Sequence, residues 1–192
     1  MRLDEVVKGK VYVDVNVFYM YLRPDPMYLP TIRRFLGRMV QGDIEAYTSI
    51  LTMDELFYRL LLARVKDAYR RNPLDVLRED TKGAIARCGA EIEVALRRLV
   101  WLPHLQLAAV LEDDFPQMLT NITAFGLLPR DALHIAVMQR LGLSEIATDD
   151  ADFDRVPWLR RHWVFNAPAP VSYTHLRAHE TRHDLVCRLL LE

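Results

Sequence analysis

Short β-branched or apolar segments alternate with longer helical patterns along this 192-residue chain, and this alternation limits the folds that it can adopt. The predicted strands cover residues 10–17, 45–48, 105–111, 145–148 and 162–165. The predicted helices between them cover 31–40, 52–71, 74–100 and 113–125, and Pro129 opens a further one. Strands separated by helices usually run parallel in one sheet. The pattern therefore predicts an α/β domain with a mainly parallel central sheet.

The composition is that of an ordinary globular protein. Hydrophobic residues make up 51% and charged residues 27% of the chain, and no apolar run approaches the roughly 18 residues that a membrane span needs. We therefore expect a soluble, cytoplasmic protein without membrane association. Cys88 and Cys187 are too few for a disulfide framework or a zinc site. The net charge of −1 leaves no global basic surface for nucleic acid.

Basic residues are concentrated between positions 59 and 98, where a local nucleic-acid surface is conceivable. They are Arg59, Arg64, Lys66, Arg70, Arg71, Arg78, Lys82, Arg87, Arg97 and Arg98. We interpret them as the solvated face of the predicted helices, and an RNA-binding surface is the alternative.

Carboxylates recur where the predicted strands end and the predicted helices begin. They are Asp14 after the first strand, Glu55 and Asp131 in first helical turns, and Asp149 and Asp150 after the strand that ends at Thr148. Parallel sheets gather ligands at the carboxyl ends of their strands, so we expect these acids to converge in one accessible cleft. Clustered carboxylates repel one another unless a hard cation such as Mg²⁺ or Mn²⁺ neutralises them. The pattern therefore predicts a metal site that activates water for attack on a phosphodiester.

Each acid also has a purely structural explanation. Asp14 and Asn16 alternate with valines, as on the solvent face of an edge strand. Glu55 follows Thr52 by three residues, the spacing of a capping box, and Asp131 complements the dipole of a helix start. Any one of these explanations could hold for its own acid. A chance match of all the acids to the positions of one pocket is much less expected.

Four segments carry the polar motifs in a defined order. They are Val13-Asp14-Val15-Asn16-Val17-Phe18, then Thr48-Ser49 with Glu55, then Arg130-Asp131-Ala132-Leu133-His134-Ile135-Ala136, then Thr148-Asp149-Asp150-Ala151-Asp152-Phe153. Their order and spacing resemble the PIN-domain family, and within it the VapC-type toxin ribonucleases, over roughly residues 11–165. The resemblance implies a three-layer α/β/α fold and a Mg²⁺- or Mn²⁺-dependent endoribonuclease that cleaves single-stranded RNA.

The resemblance also implies which residues act. The catalytic and metal-binding acids are Asp14, Glu55, Asp131 and Asp150, with Asp149 as a further metal ligand and Asp149 or Asp152 as substitutes for Asp150. The supporting positions, which orient acids or water, are Asn16 and Thr148. His134 matches a frequent family residue, but a single histidine on a helix is more often structural, and we exclude it from the site.

The same resemblance implies an antitoxin protein as partner and a homodimer. The long helical patterns between Asp54 and Val100 exceed the compact toxin pattern and leave room for another partner or an added RNA surface. A catalytically silent PIN-like module and a non-toxin RNA-processing nuclease are the alternatives. A haloacid-dehalogenase-like phosphatase is disfavoured, because its general acid would fall on Asn16, which cannot deliver a proton.

The C-terminal segment differs from the rest of the chain. After the Ala-Pro linker at 167–170, residues 171–192 contain three of the six histidines and resemble a translated sequencing-adapter read-through. We therefore predict a nuclease domain over 1–166 and a linker with a non-native or disordered tail over 167–192. A histidine tract that binds metal and a docking helix over 181–191 are the alternatives.

Overall fold

The computed structural model describes residues 1–165. In this part of the chain a parallel sheet has the strand order β3-β2-β1-β4-β5. The strands are β1 (Gly9–Val13), β2 (Ile44–Ser49), β3 (Leu105–Ala108), β4 (Glu145–Ala147) and β5 (Arg160–His162). Because Val13 pairs with Ala147 and Tyr12 pairs with Tyr47, the carboxyl ends of the three central strands lie side by side.

Helices connect the strands. They are α1 (Val15–Leu22), α2 (Leu29–Gln41), α3 (Ile50–Tyr69), α4 (Pro73–Glu79), α5 (Thr81–Val100), α6 (Asp114–Phe125) and α7 (Pro129–Arg140). A 3₁₀ turn at Ala151–Arg155 follows β4. Gly126 ends α6 with a left-handed backbone, and Pro129 opens α7, as the sequence predicts.

Alternating residues of β1 face two hydrophobic cores. Val11 and Val13 pack in a core that α1, α2, α3 and α5 share. Tyr12 belongs to a second core with Ile135 of α7 and Ile146 of β4. The sheet is therefore covered by helices on both faces, and the predicted three-layer α/β/α class is confirmed.

The first predicted strand is too long. β1 ends at Val13, and α1 begins at Val15 although valine favours strands. Val15, Val17 and Phe18 are buried in the first core, so tertiary packing overrides the local preference. The edge-strand explanation for Asp14 and Asn16 is also wrong, since β1 is central and these residues are only 7% and 6% exposed.

Other elements differ from the prediction in extent. The predicted helix over 74–100 is two helices, because Asp80 ends α4 and its carboxylate accepts a hydrogen bond of 2.8 Å from the backbone nitrogen of Gly83 in α5. The predicted buried strand over 105–111 is the short edge strand β3, in which Leu107 is 45% exposed. The last strand, β5, begins and ends earlier than predicted.

Of the helices in residues 1–165, none combines the length and the apolar character needed to span a membrane. The predicted domain boundary at 166, the linker and the tail over 167–192, with its alternatives, lie outside the described residues.

Candidate active site

Asp14 lies at the junction of β1 and α1. It is the N-cap residue of α1, yet its side chain makes no capping hydrogen bond, so the carboxylate is available for other contacts. The backbone nitrogen of Asp14 donates to the carbonyl of Ala147 at 3.1 Å, which places Asp14 beside Thr148 at the end of β4. Thr148 Oγ1 then donates to Asp14 Oδ2 at 2.6 Å. The parallel register of the two strands therefore creates this buried contact.

Three carboxylates meet close to this junction. Oxygen atoms of Asp131, Asp150 and Asp152 all lie within 4.8 Å of one another, and we call this set the carboxylate triad. Asp131 is the third residue of α7. The other two lie in the turn after β4, where Asp150 Oδ1 accepts a hydrogen bond of 2.9 Å from the backbone nitrogen of Asp152. This local turn brings two acids next to the start of α7.

The environment of Asp131 disfavours its charged form. Burial, followed by the charges of Asp150, Asp14, Asp152 and Glu55, raises its pKa to about 8. Within residues 1–165, no side chain or backbone group makes a hydrogen bond or ion pair with the Asp131 carboxylate. The four acids that contribute to this shift are therefore close neighbours of a carboxylate that lacks a counter-charge.

Glu55 is the sixth residue of α3 and so lies in its second turn, not in the first as predicted. Ser49 is the N-cap residue of α3 and its side chain makes no capping hydrogen bond, so Thr52 and Glu55 form no capping box. The Glu55 carboxylate lies between two guanidinium groups, with Arg59 Nη1 and Arg130 Nη1 each 3.6 Å from one oxygen. Burial and the charge of Asp14 nevertheless raise the pKa of Glu55.

Asn16 connects Asp14 to Asp149. Its amide nitrogen donates to Asp14 Oδ2 at 3.4 Å and also to Asp149 Oδ1. Its amide oxygen accepts a hydrogen bond of 2.7 Å from Arg59 Nη1. Burial and the charge of Asp14 raise the pKa of Asp149 to about 6. The structure thus brings Asp152, rather than Asp149, into the triad with Asp131.

The two remaining polar residues have distinct surroundings. Thr148 is fully buried and, besides contacting Asp14, accepts a hydrogen bond of 3.1 Å from the backbone nitrogen of Asp150. His134 is buried in α7, and its Nδ1 lies 2.7 Å from the hydroxyl of Tyr12. Burial lowers the pKa of His134 and raises that of Tyr12, so the contact joins a neutral imidazole to a neutral phenol. This contact joins α7 to β1.

The family model described as PIN domain matches residues 11–159. This chain belongs to the PIN-domain family. PIN domains are generally nucleases. The solved structures that resemble this PIN domain include VapBC2 from Rickettsia felis, which is bound to a DNA fragment from the VapBC2 promoter. The TM-score is 0.52 and the identity 12%, and the match covers 81% of this chain and 98% of that chain.

VapC20 from Mycobacterium tuberculosis, described as a sarcin-ricin loop cleaving toxin, has a TM-score of 0.47 and 17% identity over 75% of this chain and 92% of that chain. At 12% identity the VapBC2 structure supports the PIN fold alone. A comparison with curated proteins gives no match.

The donor set of this PIN domain suits a hard cation. The triad offers only carboxylate oxygens, which Mg²⁺ and Mn²⁺ prefer, and its spacing allows them to reach one ion. A cation there would also supply the counter-charge that the Asp131 carboxylate lacks. The residues present therefore fit a divalent metal.

The basic residues of the PIN domain divide into two groups. Several on α3, α4 and α5 form ion pairs with neighbouring acids, and these pairs are Arg64–Glu91, Arg71–Glu79, Arg78–Asp75 and Arg97–Glu93. This pairing favours the interpretation of a solvated face over an RNA surface. Arg59 and Arg130 instead contact the acidic site, which the sequence analysis missed. The spacing of Glu55 and Arg59 by four residues on one helix was the available signal.

Proposed function

We propose that this PIN domain is a Mg²⁺- or Mn²⁺-dependent endoribonuclease that cleaves single-stranded RNA. The observation that carries the proposal is the carboxylate triad at the carboxyl edge of the sheet, where the charges of Asp14 and Glu55 also act on Asp131 and no group within residues 1–165 pairs with it. The alternative, a catalytically silent module, gives no reason for a fold to place three carboxylates within 4.8 Å of one another.

The residues of the site have separate roles in this proposal. Asp131, Asp150 and Asp152 would hold the metal, which when bound activates water and stabilises charge on the phosphate. Thr148 occupies one oxygen of Asp14 and thereby sets the orientation of that carboxylate. The other oxygen of Asp14 is left for a water molecule or a cation.

Arg130 provides a contact for the substrate. Its side chain is 45% exposed at the rim of the site, and it contacts Glu55 and, with its other terminal nitrogen, Asp54 at 3.6 Å. An exposed guanidinium beside the metal-binding acids is suited to bind a phosphate oxygen of RNA. It would thus offset the repulsion between the acidic site and the polyanionic substrate.

We also propose that the protein acts as the toxin of a toxin–antitoxin pair, with an antitoxin partner, and that it forms a homodimer. Support comes from the order of its motifs, which resembles that of VapC-type toxins, and from its membership of the PIN-domain family. Overexpression should arrest growth, and co-expression of a small protein encoded by a neighbouring gene should restore it. Harmless overexpression of a monomeric protein would leave a non-toxin RNA-processing nuclease as the function.

The nuclease proposal is tested by cleavage of a short single-stranded RNA with and without Mn²⁺. Asp14→Asn and Asp131→Asn keep the side-chain shape but remove charge, and each should abolish turnover in a folded protein. Asp113→Asn, at an exposed acid that precedes α6, is the matched control and should cleave normally. Unchanged cleavage by Asp131→Asn, with contaminating nuclease excluded, contradicts the site. Absence of cleavage by the wild-type protein favours the silent module.

A further inference from the structure

Arg59 is a buried cation inside the acidic site of this PIN domain. Its side chain is only 13% exposed, its guanidinium lies 4.9 Å from the centre of the Tyr19 ring, and Nη1 contacts both Glu55 and Asn16. The Nε atom is buried without a hydrogen-bond partner among the described residues. Because an unpaired buried donor costs stability, stability alone does not explain this placement.

We propose that Arg59 is a positioning residue that acts through Asn16 to exclude Asp149 from the metal site. The proposal rests on the proposed function, since it concerns the acids that would bind the metal. It concerns the choice between two acids in one short loop, Asp149 and Asp152, of which only the second joins the triad.

The argument depends on the orientation of the Asn16 carboxamide. A carboxamide can rotate by a half-turn, which exchanges its donor and acceptor ends. In the observed orientation the oxygen accepts from Arg59, and the nitrogen donates to Asp14 and Asp149. The opposite orientation would place the amide nitrogen against a guanidinium and the oxygen against two carboxylates. Arg59 therefore strengthens the preference for the observed orientation, which the two carboxylates also favour.

The orientation of Asn16 in turn restrains Asp149. While the Asn16 amide nitrogen holds one oxygen of Asp149, that oxygen is occupied by a protein donor and is less available to a cation. Loss of Arg59 releases the carboxamide and then Asp149. The released carboxylate would compete for the cation, bind it more tightly and alter the geometry around the attacking water.

The first measurement needs no metal. The side-chain amide of Asn16 gives an NMR signal that is assigned by its loss in Asn16→Ala. We expect Arg59→Gln to broaden or shift this signal. Arg130→Gln removes the same charge at the same distance from Glu55 but makes no contact with Asn16, so it should leave the signal in place. An unchanged signal in folded Arg59→Gln overturns the proposal regardless of whether the protein is a nuclease.

The second measurement is Mn²⁺ affinity, determined by calorimetry. We expect Arg59→Gln to raise the Mn²⁺ affinity by about threefold or more, which is a typical size of coupling within one hydrogen-bond network. When Asp149→Asn is also present, Arg59→Gln should raise the affinity by less than about twofold. Repeating the pair in the Asn16→Ala background separates the proposed route from direct attraction between charges. Coupling between Arg59 and Asp149 should then disappear.

If the coupling between Arg59 and Asp149 persists in the Asn16→Ala background, it is a direct charge effect, and the positioning role is contradicted. Absence of coupling in the wild-type background shows that Arg59 is only structural. Arg59→Lys replaces Arg59→Gln in these measurements if the glutamine variant does not fold. Lysine keeps the charge but lacks the planar guanidinium, so this variant should give the same coupling pattern. A wild-type protein that binds no Mn²⁺ contradicts the proposed function itself, whereas the NMR result stands apart from it.

Discussion

Removal of the Asp131 charge should stabilise the protein when no metal is present. The pKa of this carboxyl rises from 3.8 to about 8 on folding, and each unit corresponds to about 1.4 kcal/mol, so ionisation costs at most about 6 kcal/mol. Four neighbouring acids share in this shift and can themselves take up protons. We therefore expect Asp131→Asn to raise the free energy of unfolding by about 2–4 kcal/mol at pH 8.

The pH dependence has a definite sign. Between pH 3.8 and about 8 the folded state binds more protons at Asp131 than the unfolded state, so stability falls as pH rises through this range. In EDTA, the wild-type protein should lose stability from pH 5 to pH 8, and Asp131→Asn should lose much less. At about 2–4 °C per kcal/mol, the variant should unfold roughly 5–10 °C higher at pH 8.

The assay is thermal unfolding followed by circular dichroism in EDTA and then in Mn²⁺. At a Mn²⁺ concentration of 100 times Kd, binding should add about 2.7 kcal/mol to the stability of the wild-type protein at pH 8 and so raise its Tm. The Tm of the variant should stay almost unchanged. Asp54→Asn, at an acid that is largely exposed at the rim of the site, is the control and should behave like wild type. A lower Tm for Asp131→Asn in EDTA, or a flat wild-type profile from pH 5 to pH 8, would refute the reasoning.

Three further predictions concern the surroundings of the site and the tail. Thr148→Val removes the 2.6 Å hydrogen bond to Asp14, and calorimetry and urea unfolding should show weaker Mn²⁺ binding and a loss of about 1–3 kcal/mol of stability. Tyr12→Phe leaves His134 Nδ1 without its hydrogen-bond partner, and urea unfolding should show a similar loss while Mn²⁺ affinity stays near the wild-type value. Truncation after Ala169 should leave Tm and RNA cleavage unchanged, and a drop of several degrees would contradict a non-native tail.

The parts of the fold that local signals determine could be predicted from the sequence. Gly126 and Pro129 mark the end of α6 and the start of α7, because a left-handed cap and a proline at a first helical position are local requirements. The valine-rich start of α1 could not be predicted, because its helical form depends on burial against other helices. The break at Asp80 depends on one capping hydrogen bond that the helical pattern across it conceals.

The candidate site also has features that could be predicted from the sequence and features that could not. Asp14 and Asp131 could be expected at one edge of the sheet because each adjoins a recognisable strand end or helix start, and a parallel sheet brings such positions to one edge. The choice between Asp149 and Asp152 could not be predicted. It depends on the short 3₁₀ turn that follows β4, for which we had no sequence signal, and on the contact of Asn16 with Asp149, which is a tertiary feature.

The contacts around the acids indicate where a cation is needed. Asp14 receives hydrogen bonds from Thr148 and Asn16, Asn16 also holds Asp149, and Glu55 lies between two arginines. Each of these acids contacts a donor or a counter-charge from the protein. Asp131 has none within residues 1–165 and carries the largest upward pKa shift described for an acid there. Among residues 1–165 the protein supplies donors or counter-charges to the acids around Asp131 but none to Asp131 itself, and the oxygen-only triad offers the ligands that a hard cation prefers, which supports the proposed metal site.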